Sequence, residues 1–248
     1  MDLLERRPGE PQRHPWETAR VQAIVEILER AGIGQPRVLD VGCGDAFVIA
    51  SLHSRLGFMT AAAQDVHLTD QLIAELSRPG VELVRRLDEL GGQRFDLVLL
   101  LDVLEHIEKP QDLLNELKRT RLAPGARVLV TVPAFQMLYT SHDTYLKHMR
   151  RYSRPAICEL LNQSDFEIQE SGYLFSSLLV PRALSALRER VWAQQPKTET
   201  GVGVWNAPRL LSLAVHHALA IDNRLCLWFQ GKGLTLPGLS AWALCSLR

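Results

Sequence analysis

Residues 37–46, Arg-Val-Leu-Asp-Val-Gly-Cys-Gly-Asp-Ala, constrain this chain more than any other stretch, because an apolar strand carrying one acid runs straight into a Gly-x-Gly turn. Gly42 and Gly44 let a backbone turn sharply and approach a ligand without Cβ interference, and Asp40 offers a carboxylate to polar or cationic groups. The pattern points to a nucleotide-like cofactor at the carboxyl edge of a parallel sheet. The spacing narrows the ligand further. A dinucleotide fingerprint needs Gly-x-Gly-x-x-Gly, whose sixth position is Phe47 here, and a phosphate loop needs Gly-Lys-Ser/Thr, which is absent. For the glycines taken alone, a βα turn without a ligand is the competing reading.

The rest of the chain repeats that strand-turn-helix pattern. Strands are expected at Arg37–Val41, Met59–Gln64, Val81–Arg85, Phe95–Leu101, Arg127–Val132 and Phe166–Tyr173, each of the first five followed by a helical or turn segment, which favours a parallel sheet covered on both faces. Leu97-Val-Leu-Leu-Leu101 has no alternation and fits a central strand buried on both sides. Ahead of the sheet, residues 1–15 are rich in Pro, Arg and Glu and are expected to lack regular structure. Trp16 opens a helix with Val21, Ile24, Val25 and Leu28 at helical spacing and Gly32 as its stop. Ser153 caps a further helix whose first turn holds Pro155.

At 248 residues the chain fits one domain with a sizeable insertion, and 46% hydrophobic against 23% charged residues supplies a buried core. Lys+Arg and Asp+Glu are equal at 28 each, so no basic excess advertises nucleic acid, and no nucleic-acid partner is expected. Cys43, Cys158, Cys226 and Cys245 lie far apart, form no Cys-x-x-Cys pair, and read as ordinary thiols in a reducing compartment. The N-terminal residues lack the apolar run of a secretory signal, and nowhere do 18 uncharged apolar residues follow one another. The expectation is a cytoplasmic chain with no membrane span.

With Asp40, the glycines and the segments that follow, the chain resembles the class I S-adenosylmethionine-dependent methyltransferases, and Arg37–Ala46 is similar to their motif I, with Ala46 where the family places a third glycine. Phe95-Asp-Leu-Val-Leu-Leu-Leu-Asp-Val-Leu-Glu-His-Ile107 resembles the fourth-strand motif, and Arg121 to Pro133 the Pro-Gly turn and fifth strand. These segments cover residues 37–135. The resemblance implies a Rossmann-like, doubly wound, mostly parallel seven-stranded α/β sheet with an antiparallel last strand, which would be Ser240–Leu247. It divides the chain into an N-terminal extension and helix (1–34), a cofactor-binding core (35–173), a helical insertion (174–238) and the last strand (239–248). About 65 residues separate the last two strands, too many for a structureless loop. Two amphipathic helices are expected there, one with Val180, Leu184, Leu187 and Val191 and one with Leu211, Ala214, Ala218, Ile221, Leu225 and Trp228 as apolar face, joined by a linker at Gln194–Gly201.

The resemblance implies S-adenosylmethionine as cofactor. Asp40, Gly42, Gly44, Leu101 and Asp102 are expected at its pocket. Asp65 ends the second strand roughly 20 residues past the turn, where a carboxylate can accept from both ribose hydroxyls. Asp88 has two readings, an adenine-amino contact or a solvated turn. For the chemistry, the donor carbon sits on a cationic sulfur, so transfer is an in-line displacement that needs alignment, water exclusion and, for a hydroxyl acceptor, a base. His106, His148 and His142 are the catalytic candidates, against the alternative for His106 of a loop-fixing residue.

The run Lys147-His-Met-Arg-Arg-Tyr-Ser153 resembles the His-x-Arg-Arg-Tyr-Ser/Thr of a group of bacterial methyltransferases of the type 11/12 kind, which implies small, sugar, lipid-like or aryl acceptors. Tyr139, Arg150, Arg151 and Tyr152 are expected to face the acceptor, with surface solvation or an internal ion pair as the alternative for the arginines. His142, Asp143 and His148 have metal-ligand types but no second cluster supports them, so no metal is expected. The inserted helices read as an apolar lid, a peripheral membrane contact, or a packing or homodimer surface. The sequence thus anticipates a methyltransferase acting on a small or lipid-like, aryl-type acceptor, at oxygen. Two other readings stand beside it. One is a non-catalytic protein of the same fold that contacts a partner or membrane, and the other is a nicotinamide-dependent oxidoreductase, which Phe47 disfavours.

Overall fold

The apolar runs become strands because their residues are buried on both faces of one sheet. β4 (Phe95–Leu101) sends Leu97, Leu99 and Leu101 into one core cluster and Val98 and Leu100 into the other. Around it stand β1 (Arg37–Val41), β2 (Thr60–Gln64), β3 (Val81–Val84), β5 (Leu122–Pro133), β6 (Phe166–Leu174) and β7 (Ser240–Leu247), in the order β3-β2-β1-β4-β5-β7-β6. All neighbours pair in parallel except β7, which runs antiparallel to both β5 and β6. The chain moves outward from β1 to β3 and then restarts at β4 on the other side of β1. That reversal opens a crevice at the carboxyl ends of β1 and β4, where ligands bind in such sheets. The structure, a computed structural model, describes residues 13–58, 60–192 and 205–247. Most of the Pro- and Arg-rich N-terminal stretch, Met59 and the Gln194–Gly201 linker lie outside the described residues.

The helices are α1 (Pro15–Arg30), α2 (Phe47–Leu56), α3 (Asp70–Leu76), α4 (Pro110–Thr120), α5 (Ser141–Tyr145), α6 (Arg154–Gln163), α7 (Leu179–Trp192) and α8 (Arg209–Gly231). α1 starts at Pro15, one residue before the expected Trp16, because His14 Nδ1 accepts from Trp16 N at 3.1 Å and caps it. Ser153 Oγ caps α6 as expected, accepting from Ala156 N at 3.3 Å. β5 begins at Leu122, well before the expected Arg127, since Phe95 pairs with Leu122 ahead of a register shift. The N-terminal helix is no appendage to the core: Ile24, Ile27 and Leu28 are at most 1% exposed and share a cluster with β1, β4 and α2.

α8 packs on α1 and β6 through Leu219, Ala220, Asn223, Cys226 and Leu227. The apolar face read from the sequence, Leu211, Ala214, Ala218, Ile221, Leu225 and Trp228, is the exposed one. The physical reason is Asn223. Its Oδ1 accepts from Phe175 N at 2.9 Å, which fixes the rotation of the helix and places a polar side chain inside.

Candidate active site

The turn after β1 is built for close backbone approach. Gly42 has φ +70°, and a Cβ there would stand 2.7 Å from Val103 Cγ2, so only glycine fits between the turn and the segment leaving β4. Ala46, at the place of the family's third glycine, also takes a left-handed conformation (φ 56°) just before α2, at a steric cost that glycine would not bear. Beyond β2, Asp65 folds back onto this turn: its Oδ2 accepts from Gly44 N and its Oδ1 from His67 N, both at 2.9 Å. A carboxylate has about four acceptor directions, so two remain for hydroxyl donors.

Asp40, two residues before Gly42, is 2% exposed, and its Oδ1 is buried with no hydrogen-bond partner. Burial pushes its carboxyl up to about 7, with Arg20 pulling against that and Asp65 adding to it. An unsatisfied buried acid beside a bare-backbone turn fits a cationic ligand that would complete it.

The crevice is a cavity of about 1000 Å³ whose walls include Gly42, Gly44, Asp65, Leu101, Asp102 and His106. Asp88 also borders it, but its carboxylate is held by Arg86 at 2.7 and 3.0 Å, which lowers its pKa. Asp102 leaves β4 with φ +59° and is fastened: Arg20 Nη2 lies 2.9 Å from one oxygen and Thr131 Oγ1 donates to the other at 3.0 Å. Trp16 and Arg20 bring α1 to the same wall, with the Arg20 guanidinium 5.4 Å from the Trp16 ring.

On the opposite wall the loop after β5 presents a buried charge cluster. Asp143, 0% exposed, accepts from His148 Nδ1 at 2.9 Å, Arg151 Nε at 2.7 Å and Arg182 Nη2 at 2.9 Å. Burial alone would raise its pKa, but the hydrogen bonds from His148 and Arg151 more than offset that and hold the carboxyl well below the usual range. His148, His142, Arg151 and Arg182 all border the cavity. The His148 and His106 rings meet edge-on with centroids 4.7 Å apart. Glu105 lies between β4 and this cluster, 0% exposed, with neither carboxylate oxygen hydrogen-bonded. Burial, with the Asp102 charge adding to it, raises its pKa well above the ordinary carboxylate value. Glu105, His106 and His148 bring ligand-type atoms within 4.8 Å of one another.

Three of the four expected acceptor contacts are not brought to the cavity wall, because their polar atoms serve backbone carbonyls of this loop and of the segment after β4. Tyr139 Oη donates to the His148 carbonyl at 2.7 Å, Arg150 Nη2 to the Glu108 carbonyl at 3.1 Å, and Tyr152 Oη to the Leu104 carbonyl at 3.3 Å. Arg151 reaches the wall, but its guanidinium is committed to Asp143 and the Ala134 carbonyl. Sequence reasoning left Glu105, Arg20 and Arg182 without roles and weighed Asp143 only as a metal-ligand type. Asp143 had a signal in the five-residue spacing to His148; Arg182 had none, since only the fold carries α7 to this loop.

A family model described as "Methyltransferase domain" matches residues 12–171. Among curated proteins, the chain is 26% identical over 147 residues to the mitochondrial ubiquinone biosynthesis O-methyltransferase of Schizosaccharomyces pombe, covering 56% of this chain and 53% of that one. It is 30% identical over 125 residues to the ubiquinone biosynthesis O-methyltransferase of a Caulobacter strain, covering 45% of this chain and 48% of the other. The chain therefore spans about half the length of the curated relatives it matches. Its fold is similar to that of coclaurine N-methyltransferase solved with N-methylheliamine and SAH, with a TM-score of 0.55, 15% identity, and 91% of this chain and 70% of that chain covered. The chain belongs to the class I S-adenosylmethionine-dependent methyltransferases. S-adenosylmethionine is the cofactor that goes with that membership, and the unsatisfied Asp40, the Gly42 cradle and the half-used Asp65 fit it.

Proposed function

We propose that this chain methylates a hydroxyl oxygen on a small acceptor with an apolar, aryl or lipid-like body, with His148 as general base. S-adenosylmethionine, when bound, supplies a methyl carbon on a cationic sulfur that is open to in-line displacement. Asp40 and Asp65 would hold its amino and ribose ends, and Leu101 and Asp102 would border it. The observation that carries the reading is His148 on the cavity wall with the buried Asp143 2.9 Å behind it, Asp143 kept ionised by His148, Arg151 and Arg182. A carboxylate on Nδ1 fixes the ring and its tautomer and leaves Nε2 as the atom that can take a proton from the acceptor. Trp16, Leu178, Trp205, Val215 and Leu219 give the cavity apolar walls suited to a hydrocarbon or ring. The curated relatives carry O-methyltransferase names, which favours oxygen over nitrogen.

The test is a panel of catechols, prenylated phenols, carboxylates and amines offered with radiolabelled S-adenosylmethionine. A phenolic or catecholic product is expected. His148→Ala should then lower kcat by about 10²- to 10⁴-fold while S-adenosylmethionine affinity stays within about twofold. Methylation of amines alone, or full turnover by His148→Ala, would refute the assignment.

A further inference from the structure

The wall that carries His148 holds more positive than negative charge. Asp143 accepts from two guanidiniums, Arg151 Nε at 2.7 Å and Arg182 Nη2 at 2.9 Å, as well as from His148 Nδ1 at 2.9 Å. Arg182 Nη2 also donates to Thr140 Oγ1 at 2.6 Å. The rest of that guanidinium is unanswered: Arg182 Nε is buried without a partner, and Nη1 makes no hydrogen bond among the described residues. Burial and the nearby Arg151 charge lower the pKa of Arg182 in spite of Asp143 and Glu189, so its charge is under-compensated where it stands.

Lys147 adds a second cation to the same wall. It follows on the loop that Arg182 grips through Thr140 and Asp143, directly precedes His148, and borders the cavity. Its ammonium makes no hydrogen bond or ion pair with any described residue. Its backbone is left-handed, with φ +60°, a conformation that is unfavourable for a residue with a Cβ and that clusters at ligand sites. Lys147, Arg151 and Arg182 stand against the carboxylates of Asp143 and Glu189, a surplus of one positive charge, and Glu189 already accepts from Ser141 N at 2.8 Å. Burial favours the neutral form of Glu105. The other acids that border the cavity belong elsewhere. Asp65 holds the glycine turn, Asp88 pairs with Arg86, Asp102 pairs with Arg20, and Glu116 stands on α4, which contributes nothing to the Asp143 cluster.

We infer that the acceptor carries a carboxylate besides the hydroxyl that is methylated, and that Lys147 and the open edge of Arg182 hold this carboxylate and select for it. An ammonium and a guanidinium edge are the donors that bind such a group by charge-assisted hydrogen bonds. A surplus of one positive charge matches a carboxylate better than a phosphate monoester, which brings close to two negative charges near neutrality. Trp16, Leu178 and Trp205 line the same cavity and suit the apolar body that joins the two groups. The carboxylate is an anchor and stays unmodified. The inference rests on the reading that this wall faces the acceptor, but anion selectivity is measurable without methyl transfer.

The test is calorimetry on the full chain loaded with S-adenosylhomocysteine, titrated with hydroxyaryl acids of graded side-chain length, each beside its methyl ester, and with phenyl phosphate. At least one acid is expected to bind about tenfold tighter than its ester and than phenyl phosphate. Lys147→Ala should bring that acid and its ester to within about threefold of each other, and Lys147→Arg should keep the preference. Arg182→Gln, with an unchanged circular dichroism spectrum, should lower it as well. For an acid that is turned over, the Lys147→Ala loss should fall on KM rather than kcat. Equal binding of acids and esters, a preference for phenyl phosphate, or a preference indifferent to Lys147→Ala would overturn the inference. So would a Lys147→Ala loss that falls on S-adenosylhomocysteine affinity instead, since the cation would then serve the cofactor. Selective acid binding with no methylated hydroxyl would strike only the hydroxyl reading above.

Discussion

Asp40 makes cofactor binding depend on pH in a way that can be worked out from its surroundings. Its carboxyl is 2% exposed and is pushed by burial to about 7, so near neutrality it is divided between neutral and ionised forms. The cofactor's ammonium and sulfonium favour the ionised form, so affinity should rise with pH through about 7 and level off above it. A carboxyl titrating near 7 is ~3% ionised at pH 5.5 and ~75% at pH 7.5, which gives ~25-fold tighter binding at the higher pH, or ~2 kcal/mol. Binding at pH 6 should also release close to one proton. Isothermal titration in two buffers of different ionisation enthalpy measures both quantities, and Asp40→Asn should lose the slope and the proton release together. A dissociation constant flat within twofold from pH 5.5 to 7.5, or an Asp40→Asn slope equal to that of the unaltered chain, would refute the reasoning. The same shift has a sign for the ligand-free fold. A folded-state pKa above the unfolded value means the native state keeps a proton that the unfolded chain has released, so this group's contribution falls as pH rises from about 4 to about 7. Glu105 acts in the same direction.

Three further outcomes follow from the site. Asp65→Ala removes the acceptors of Gly44 N and His67 N as well as the ribose contact, so S-adenosylmethionine affinity should fall about 10- to 100-fold by calorimetry while the protein stays folded; unchanged affinity would remove the ribose role. Ala46→Gly relieves a left-handed alanine and should stabilise the fold by about 1 kcal/mol, a rise of about 2–4 °C in Tm; a lowered Tm in calorimetry would contradict it. Burial raises the pKa of Glu105 and so weakens it as an anionic ligand in the Glu105–His106–His148 group, and EDTA should leave turnover within about twofold; loss of activity restored by a divalent metal would reverse that reading and its account of His148.

What could be read in advance divides by physical range. The strand and turn at Arg37–Ala46 and the central strand at Phe95–Leu101 were legible because their information is local: an uninterrupted apolar run, and two glycines where the backbone must bend. The existence of both insertion helices was legible from spacing. The orientation of α8 was not, because the helix is apolar on two opposite sides and a hydrophobic pattern cannot rank them. What decides is one buried amide, Asn223, bonded to the Phe175 backbone across 48 residues. The loop after β5 failed in a related way. Arg150, Arg151 and Tyr152 have the chemistry of ligand contacts, yet their polar atoms meet backbone carbonyls and Asp143 of the same protein, and residue type does not reveal such prior engagement.

The acids around the cavity fall into two groups that a charge-transfer site needs kept apart. Asp102 is neutralised by Arg20, and Asp143 by Arg151 and Arg182, while burial raises the pKa of Glu105. Asp102 and Asp143 thus meet the cavity as paired rather than open charges. Asp40 and Asp65 are the exceptions at the glycine turn, where Asp65 lines the cavity and Asp40 is buried behind it. Among the described residues Asp40 Oδ1 has no hydrogen-bond partner, so on the proposed reading its charge would be fully developed only with a cationic donor in place. On the proposed reading, donor binding would complete the field of the site, with His148, fixed by its bond to Asp143, as the group that takes the acceptor proton.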